Sequence, residues 1–96
     1  MSYRLFYTDK AVAQLAVLPT EFVDGVETNF LRLALSPTTE SVPIASPPFP
    51  PRGQLFHFEL TDSCGGHWFF TVIFRYSQDE TDLFVLSVTW RQLIEE

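Results

Sequence analysis

The residues able to do chemistry in this chain are few and crowded together. His57, Glu59, Asp62, Cys64 and His67 fall in one short stretch, and Arg75 and Arg91 come after it. Cys64 and His67 stand three apart across Gly65-Gly66, with Asp62 and His57 within reach. A metal site needs three or four convergent ligands. One cysteine with two histidines falls short of that, and a turn of chance composition accounts for the spacing. A Cys–His nucleophilic pair would need oxyanion-hole donors and an orienting third group, and no motif for either is present. The four glycines are dispersed or in turns, so no glycine-rich phosphate loop is formed. No metal and no cofactor are therefore expected. His57 reads as a half-exposed strand residue, and Arg75 as the partner of Glu59 or of an acid on a neighbouring strand. Trp68 and Trp90 read as core, with Trp90 also placed to anchor an interface.

Charge narrows the field of partners. Six basic residues (Arg4, Lys10, Arg32, Arg52, Arg75 and Arg91) face twelve acidic ones, for a net charge of -6. Affinity for phosphate backbones comes from neutralising them, which needs a basic face. Scattered cations on an acidic chain argue against direct nucleic-acid binding. No apolar run reaches the ~18 residues of a membrane helix, and the opening MSYRLFYTDK lacks the basic-then-apolar order of a signal peptide. The single cysteine excludes an internal disulfide and fits a reducing cytoplasm.

The elements that must position these residues emerge from periodicity. At 96 residues the chain reads as one domain. Tyr3 to Tyr7 alternates as a strand, and Thr8 or Asp9 can cap a helix. Helix one is expected from Lys10 to about Leu18, with Ala11, Leu15 and Leu18 on one face and Pro19 ending it. Thr20 reads as a second cap. Helix two is expected from Glu21 to Leu35, its core stripe formed by Phe22, Val26, Phe30, Leu33 and Ala34. Residues 37–53 hold six of the seven prolines. That stretch reads as a long proline-rich loop, neither helix nor central strand, with polyproline II geometry over PPFPP. It is expected either to cover a sheet edge or to dock a partner.

From Gln54 onward the chain reads as strand. Gln54 to Thr61, His67 to Tyr76 and Asp82 to Trp90 alternate apolar and polar residues. Phe56, Phe58 and Leu60 share a face with Trp68, Phe70, Val72, Phe74 and Tyr76, and with Phe84, Leu86, Val88 and Trp90. The expected order is β-α-α-β-β-β, an α+β fold with two N-terminal helices on one face of an antiparallel sheet. The other face is expected to stay partly open and to collect Glu59, Thr61, Thr71, Arg75, Ser87 and Thr89, with His57 nearby.

In this order of elements the chain resembles the RelE/ParE superfamily of bacterial toxin–antitoxin and plasmid-stabilisation modules. The likeness rests on the strand ending at Thr8-Asp9, the break at Leu18-Pro19 and the helix end at Ser36-Pro37. Phe58-Glu59-Leu60, then Phe70 to Arg75, and a closing strand running into Trp90-Arg91-Gln92 continue it. The resemblance implies a cognate antitoxin lying across the two helices and the open sheet. In the RelE branch it implies cleavage of messenger RNA on the ribosome, which needs a base, an acid and cations for the phosphorane-like state. The family's cationic positions fall on Thr61, Thr71 and Thr89, and its C-terminal tyrosine near Leu93 or Ile94. A hydroxyl donates a hydrogen bond but cannot neutralise phosphate. The usual cleavage constellation is therefore not expected.

The ParE branch also lacks that constellation and binds DNA gyrase, so gyrase and the ribosome are the candidate targets. The expected function is a toxin-like protein acting by protein–protein contact through Thr61, Thr71, Ser87, Thr89, Trp90 and Arg91. The alternatives are a ribonuclease with a relocated site at His57, Glu59, Arg75 and Arg91, and a non-toxic interaction domain. A homodimer stays open.

Overall fold

The structure, a computed structural model, describes residues 2–44 and 53–94. The chain opens with strand β1 (Arg4–Tyr7), helix α1 (Asp9–Ala16), a 3-10 turn (Thr20–Phe22) and helix α2 (Val23–Leu35). A one-turn helix, α3 (Pro37–Glu40), leads into β2 (Ser41–Ile44). Then come β3 (Gly53–Thr61), β4 (His67–Tyr76) and β5 (Asp82–Leu93). The five strands form one sheet in the order β1-β5-β4-β3-β2. The fold is α+β, as expected, with two additions: β1 pairs with β5 in parallel, and a fifth strand, β2, pairs antiparallel at the far edge.

Local chemistry explains most boundaries. Thr8 caps α1, its hydroxyl accepting from the Ala11 N–H at 3.2 Å, which satisfies one of the free donors of the first turn. The helix ends at Ala16, two residues before Leu18, though Leu15 and Leu18 still pack on the core. Thr20 makes no side-chain cap; the chain enters α2 through the 3-10 turn instead. This turn is tied to the β3–β4 hairpin, since the Ser63 N–H donates to Glu21 Oε2 at 2.9 Å. The stripe Phe22, Val26, Phe30, Leu33 and Ala34 is buried, as the helical spacing requires. Gly25 lets α2 approach β3: a Cβ there would stand 2.7 Å from Leu60 Cδ2.

The proline-rich region departs from its reading as loop throughout. Pro37 occupies the first turn of α3, where its missing N–H would have had no helical partner. Pro43 sits in the edge strand β2, opposite Gln54, where a missing donor disturbs no central ladder. The PPFPP segment lies outside the described residues.

The core forms where α2 and the helical connections meet the inner face of the sheet. Phe70 is its hub: it stacks on Phe58 at 4.9 Å, meets Phe22 edge-on at 5.4 Å and stacks on Trp90 at 5.9 Å between ring centroids. On β5 the expected alternation fails. Leu83 and Val85 are buried together with Val88, while Phe84 and Leu86 are only half-buried. The cause is a β-bulge. Ile73 pairs with Ser87 and Phe74 with Val85, leaving Leu86 as an extra residue on β5. One extra residue reverses the phase of a period-two pattern. Among the described residues no helix is long and apolar enough to cross a membrane.

Candidate functional site

The outer face of the sheet is organised in cross-strand rows. His57, Thr71 and Thr89 lie side by side on β3, β4 and β5, and Glu59, Phe69 and Arg91 form the next row. Thr61, His67 and Leu93 form a third towards the hairpin end. Neighbouring strands are ~4.8 Å apart, so Glu59 and Arg91 are separated by roughly 10 Å of backbone. The His57 ring stacks on Phe69, with centroids 5.0 Å apart and planes at 29°. A shallow cleft opens here, lined by Phe69, Thr71, Thr89, Trp90 and Arg91.

Four of the residues expected in partner contact, Thr71, Thr89, Trp90 and Arg91, thus meet in one cleft. Thr61 stands beyond it beside His67, and Ser87 faces α1, its hydroxyl accepting from Gln14 Nε2 at 3.5 Å. Of the four residues considered for a relocated ribonuclease site, His57, Glu59 and Arg91 share two adjacent rows. Arg75 does not join them. Its row contains Gly53 and Phe84, six residues along β4 from Phe69, or roughly 20 Å at strand rise. The expected Arg75–Glu59 pair is therefore absent. The Arg75 guanidinium instead lies over the Phe84 ring at 4.6 Å and donates to the Tyr76 carbonyl at 3.4 Å.

The other described arginines are engaged elsewhere. Arg4 pairs with Asp82 at 2.9 Å and Arg32 with Glu40 at 3.1 Å. Among the described residues Arg91 makes no ion pair, so the cleft holds one open cation, two hydroxyls and an aromatic wall. That set can hydrogen-bond, stack and hold a single anion. Among the described residues it has no second cation with which to clamp a phosphate.

The Cys64–His67 turn is structural in its geometry. Asp62 Oδ1 accepts from the Cys64 and Gly66 N–H groups at 2.9 and 2.7 Å, and its Oδ2 from the Trp68 indole at 2.9 Å. The Trp68 bond, those two backbone bonds and the nearby His67 hold the Asp62 carboxyl below the usual range. Gly65 takes the left-handed conformation (φ 85°) that the turn requires. Among the described residues no three His, Cys, Asp or Glu side chains are grouped to hold a metal ion.

Two participants escaped the sequence reading. Phe69 was visible as an apolar residue on the polar face, but nothing linked it to His57. Gln14 gave no signal at all. Its Oε1 accepts the Val88 N–H at 2.7 Å, a contact between residues far apart in sequence.

The topology and the polar outer face define the class: a small α+β domain with helices on one face of a mostly antiparallel five-stranded sheet. The particular likeness is to RelE. Over 95% of this chain and all of the matched one, the structure superimposes on a chain of the RelBE2 toxin–antitoxin complex from Mycobacterium tuberculosis with a TM-score of 0.73 at 20% identity. The Escherichia coli toxin RelE, as a double arginine-to-alanine variant in the free state, gives 0.61 at 16% identity, covering 92% of this chain and 82% of that one. The intact E. coli RelBE toxin–antitoxin complex gives 0.59 at 16% identity, covering 91% and 94%. No family model and no curated protein matches the sequence. The chain has a RelE-like fold.

Proposed function

We propose that this protein is the toxin-like half of a toxin–antitoxin pair. In this reading it works as one domain by binding a protein target, without ribosome-dependent cleavage of messenger RNA. One observation carries the mechanism. Thr71 and Thr89 lie opposite each other at the centre of the outer face, where the family resemblance calls for cations. In-line attack by a ribose hydroxyl builds negative charge on a phosphate, and stabilising that charge takes positioned cations. Arg91 alone, in the same row as Glu59, is a poor substitute, and the net charge of -6 repels RNA at longer range.

The partner expected on this reading is a cognate antitoxin, because two of the similar structures are described as toxin–antitoxin complexes. Induced expression in a bacterial host, following growth and transcript integrity together, tests the proposal. Growth arrest with intact transcripts is the expected result and leaves gyrase or another protein as the target. Cut transcripts would overturn it and return His57, Glu59 and Arg91 to the role of a relocated ribonuclease site. Normal growth with folded protein would leave a non-toxic interaction domain.

A further inference from the structure

The sheet ends at β1, and the flank of α2 beside it is only partly filled. β1 is an edge strand, paired with β5 on one side. Its residues alternate in facing. Phe6 stacks on Phe84 of the outer face, whereas Leu5 packs on the core and Tyr7 meets Phe30 of α2, with ring centroids 6.1 Å apart and planes at 28°.

Phe30 belongs to the buried stripe of α2. Beside that stripe Glu27, Leu31 and Leu35 stand four residues apart, which puts them in one row along the helix. Leu31 and Leu35 are 67% and 62% exposed. Between this row and β1 lies a hollow of about 250 Å³, lined by Leu5, Tyr7, Glu27, Phe30 and Leu31. It falls below the roughly 300–1,000 Å³ of pockets that enclose a small-molecule ligand. It suits a single long side chain.

The lining decides which side chain. Three walls are aliphatic or aromatic, and the one charged group is the Glu27 carboxylate. Among the described residues Glu27 is in no ion pair. It stands close to Tyr7: burial and the Glu27 charge together raise the Tyr7 phenol above its ordinary range. Lysine and arginine lay an aliphatic stem along apolar surface while their charged head reaches an anion. An aromatic face attracts the same head. An acidic side chain would meet Glu27 and the net charge of -6, which draws cations and repels anions at longer range.

We propose that the hollow between β1 and α2 receives a lysine or arginine side chain from a basic segment of the partner, with apolar residues of that segment covering Leu31 and Leu35. This rests on the partner-binding reading above and names the partner's chemistry. A second copy of this chain is disfavoured as occupant. Two molecules of charge -6 repel, and Arg4, Arg32 and Arg75 are already engaged within the fold.

The test is a titration of the whole chain with synthetic helical peptides, followed by nuclear magnetic resonance at the Leu5 and Leu31 methyls and the Tyr7 ring. One peptide carries lysine and leucine at helical spacing, and its counterpart carries glutamate in place of lysine. The lysine peptide is expected to shift these signals and to bind about tenfold tighter than the glutamate peptide. Glu27→Gln is expected to lose most of that preference. Glu59→Gln removes the same charge from the outer face and is expected to keep it. Equal binding of the two peptides would overturn the inference. So would an equal loss in both variants, which would mean attraction to the overall charge alone, or shifts confined to other residues. Concentration-dependent association of the free chain that alters the same three signals would also overturn it, by showing a second copy in the hollow. Growth arrest with intact transcripts, but no Glu27-dependent preference, would remove this inference and leave the toxin reading. An inert protein with that preference would do the reverse.

Discussion

Gln14 and Val88, on α1 and β5, are joined by a hydrogen bond in which a side-chain amide oxygen replaces the backbone carbonyl of a missing strand, at 2.7 Å. The same amide reaches Ser87 Oγ through Nε2 at 3.5 Å. Replacing it by an isosteric apolar group, Gln14→Leu, removes the acceptor and leaves the Val88 donor to water or to nothing. The expected cost is about 1–2 kcal/mol in chemical denaturation, with faster amide exchange at Val88. A variant as stable as the native protein would mean that water replaces the amide without loss.

Thr71 and Thr89 lie opposite each other on the outer face and bring no charge to it. Thr71→Arg with Thr89→Arg would place two guanidiniums beside Arg91. The doubly substituted protein is expected to bind single-stranded RNA with a salt dependence steeper by about 0.7 per added cation. The native chain is expected to show little binding at physiological salt. Fluorescence anisotropy over a salt series measures both. Tight RNA binding by the native chain would contradict the reading of this face.

Phe70 touches aromatic rings from the α2 entry, β3 and β5 at once, and it is fully buried. Phe70→Ala opens a cavity that the sheet backbone cannot close, with an expected loss of about 3–5 kcal/mol. Phe84→Ala, on the outer face, is expected to cost much less. Denaturant midpoints for the two variants give the comparison.

Acid should loosen the β3–β4 hairpin first at Asp62. Its carboxyl titrates below the usual range because of the Trp68 indole and the Gly66 and Cys64 amides. A depressed folded pKa contributes stability that is fully present above the unfolded value of about 3.9 and is lost as pH falls through the folded value. Asp79 is lowered in the same direction by Ser77 and Thr81. Asp62→Asn is therefore expected to be less stable than the native chain at neutral pH, with the gap narrowing as pH falls below about 4. Trp68 fluorescence during denaturation at each pH reports it. A gap that stays constant with pH would place the stabilisation in shape alone.

Patterns that depend on near neighbours were readable in the chain. The buried stripe of α2, the limits of β4 and the cap at Thr8 arise from helix period, strand alternation and one hydroxyl, and all three are present. The outer-face grouping of Thr71 and Thr89 was readable as well, because both strands keep their phase from the bulge to the hairpin end. The rest was decided by contacts between distant segments. The bulge at Leu86 reverses the inner and outer faces of β5 before it. It occurs where Thr8 takes both the Val85 and Leu86 carbonyls, and no residue in β5 announces that. Arg75 faces Phe84 rather than Glu59 because register, not charge, sets which side chains are neighbours. Pro37 and Pro43 are harmless at a helix start and at a sheet edge, positions that exist only once the sheet is assembled. Alternation and capping are properties of a few adjacent residues, and the chain carries them wherever it goes. Register, edge and bulge are relations between segments, and they come into being only when the segments meet.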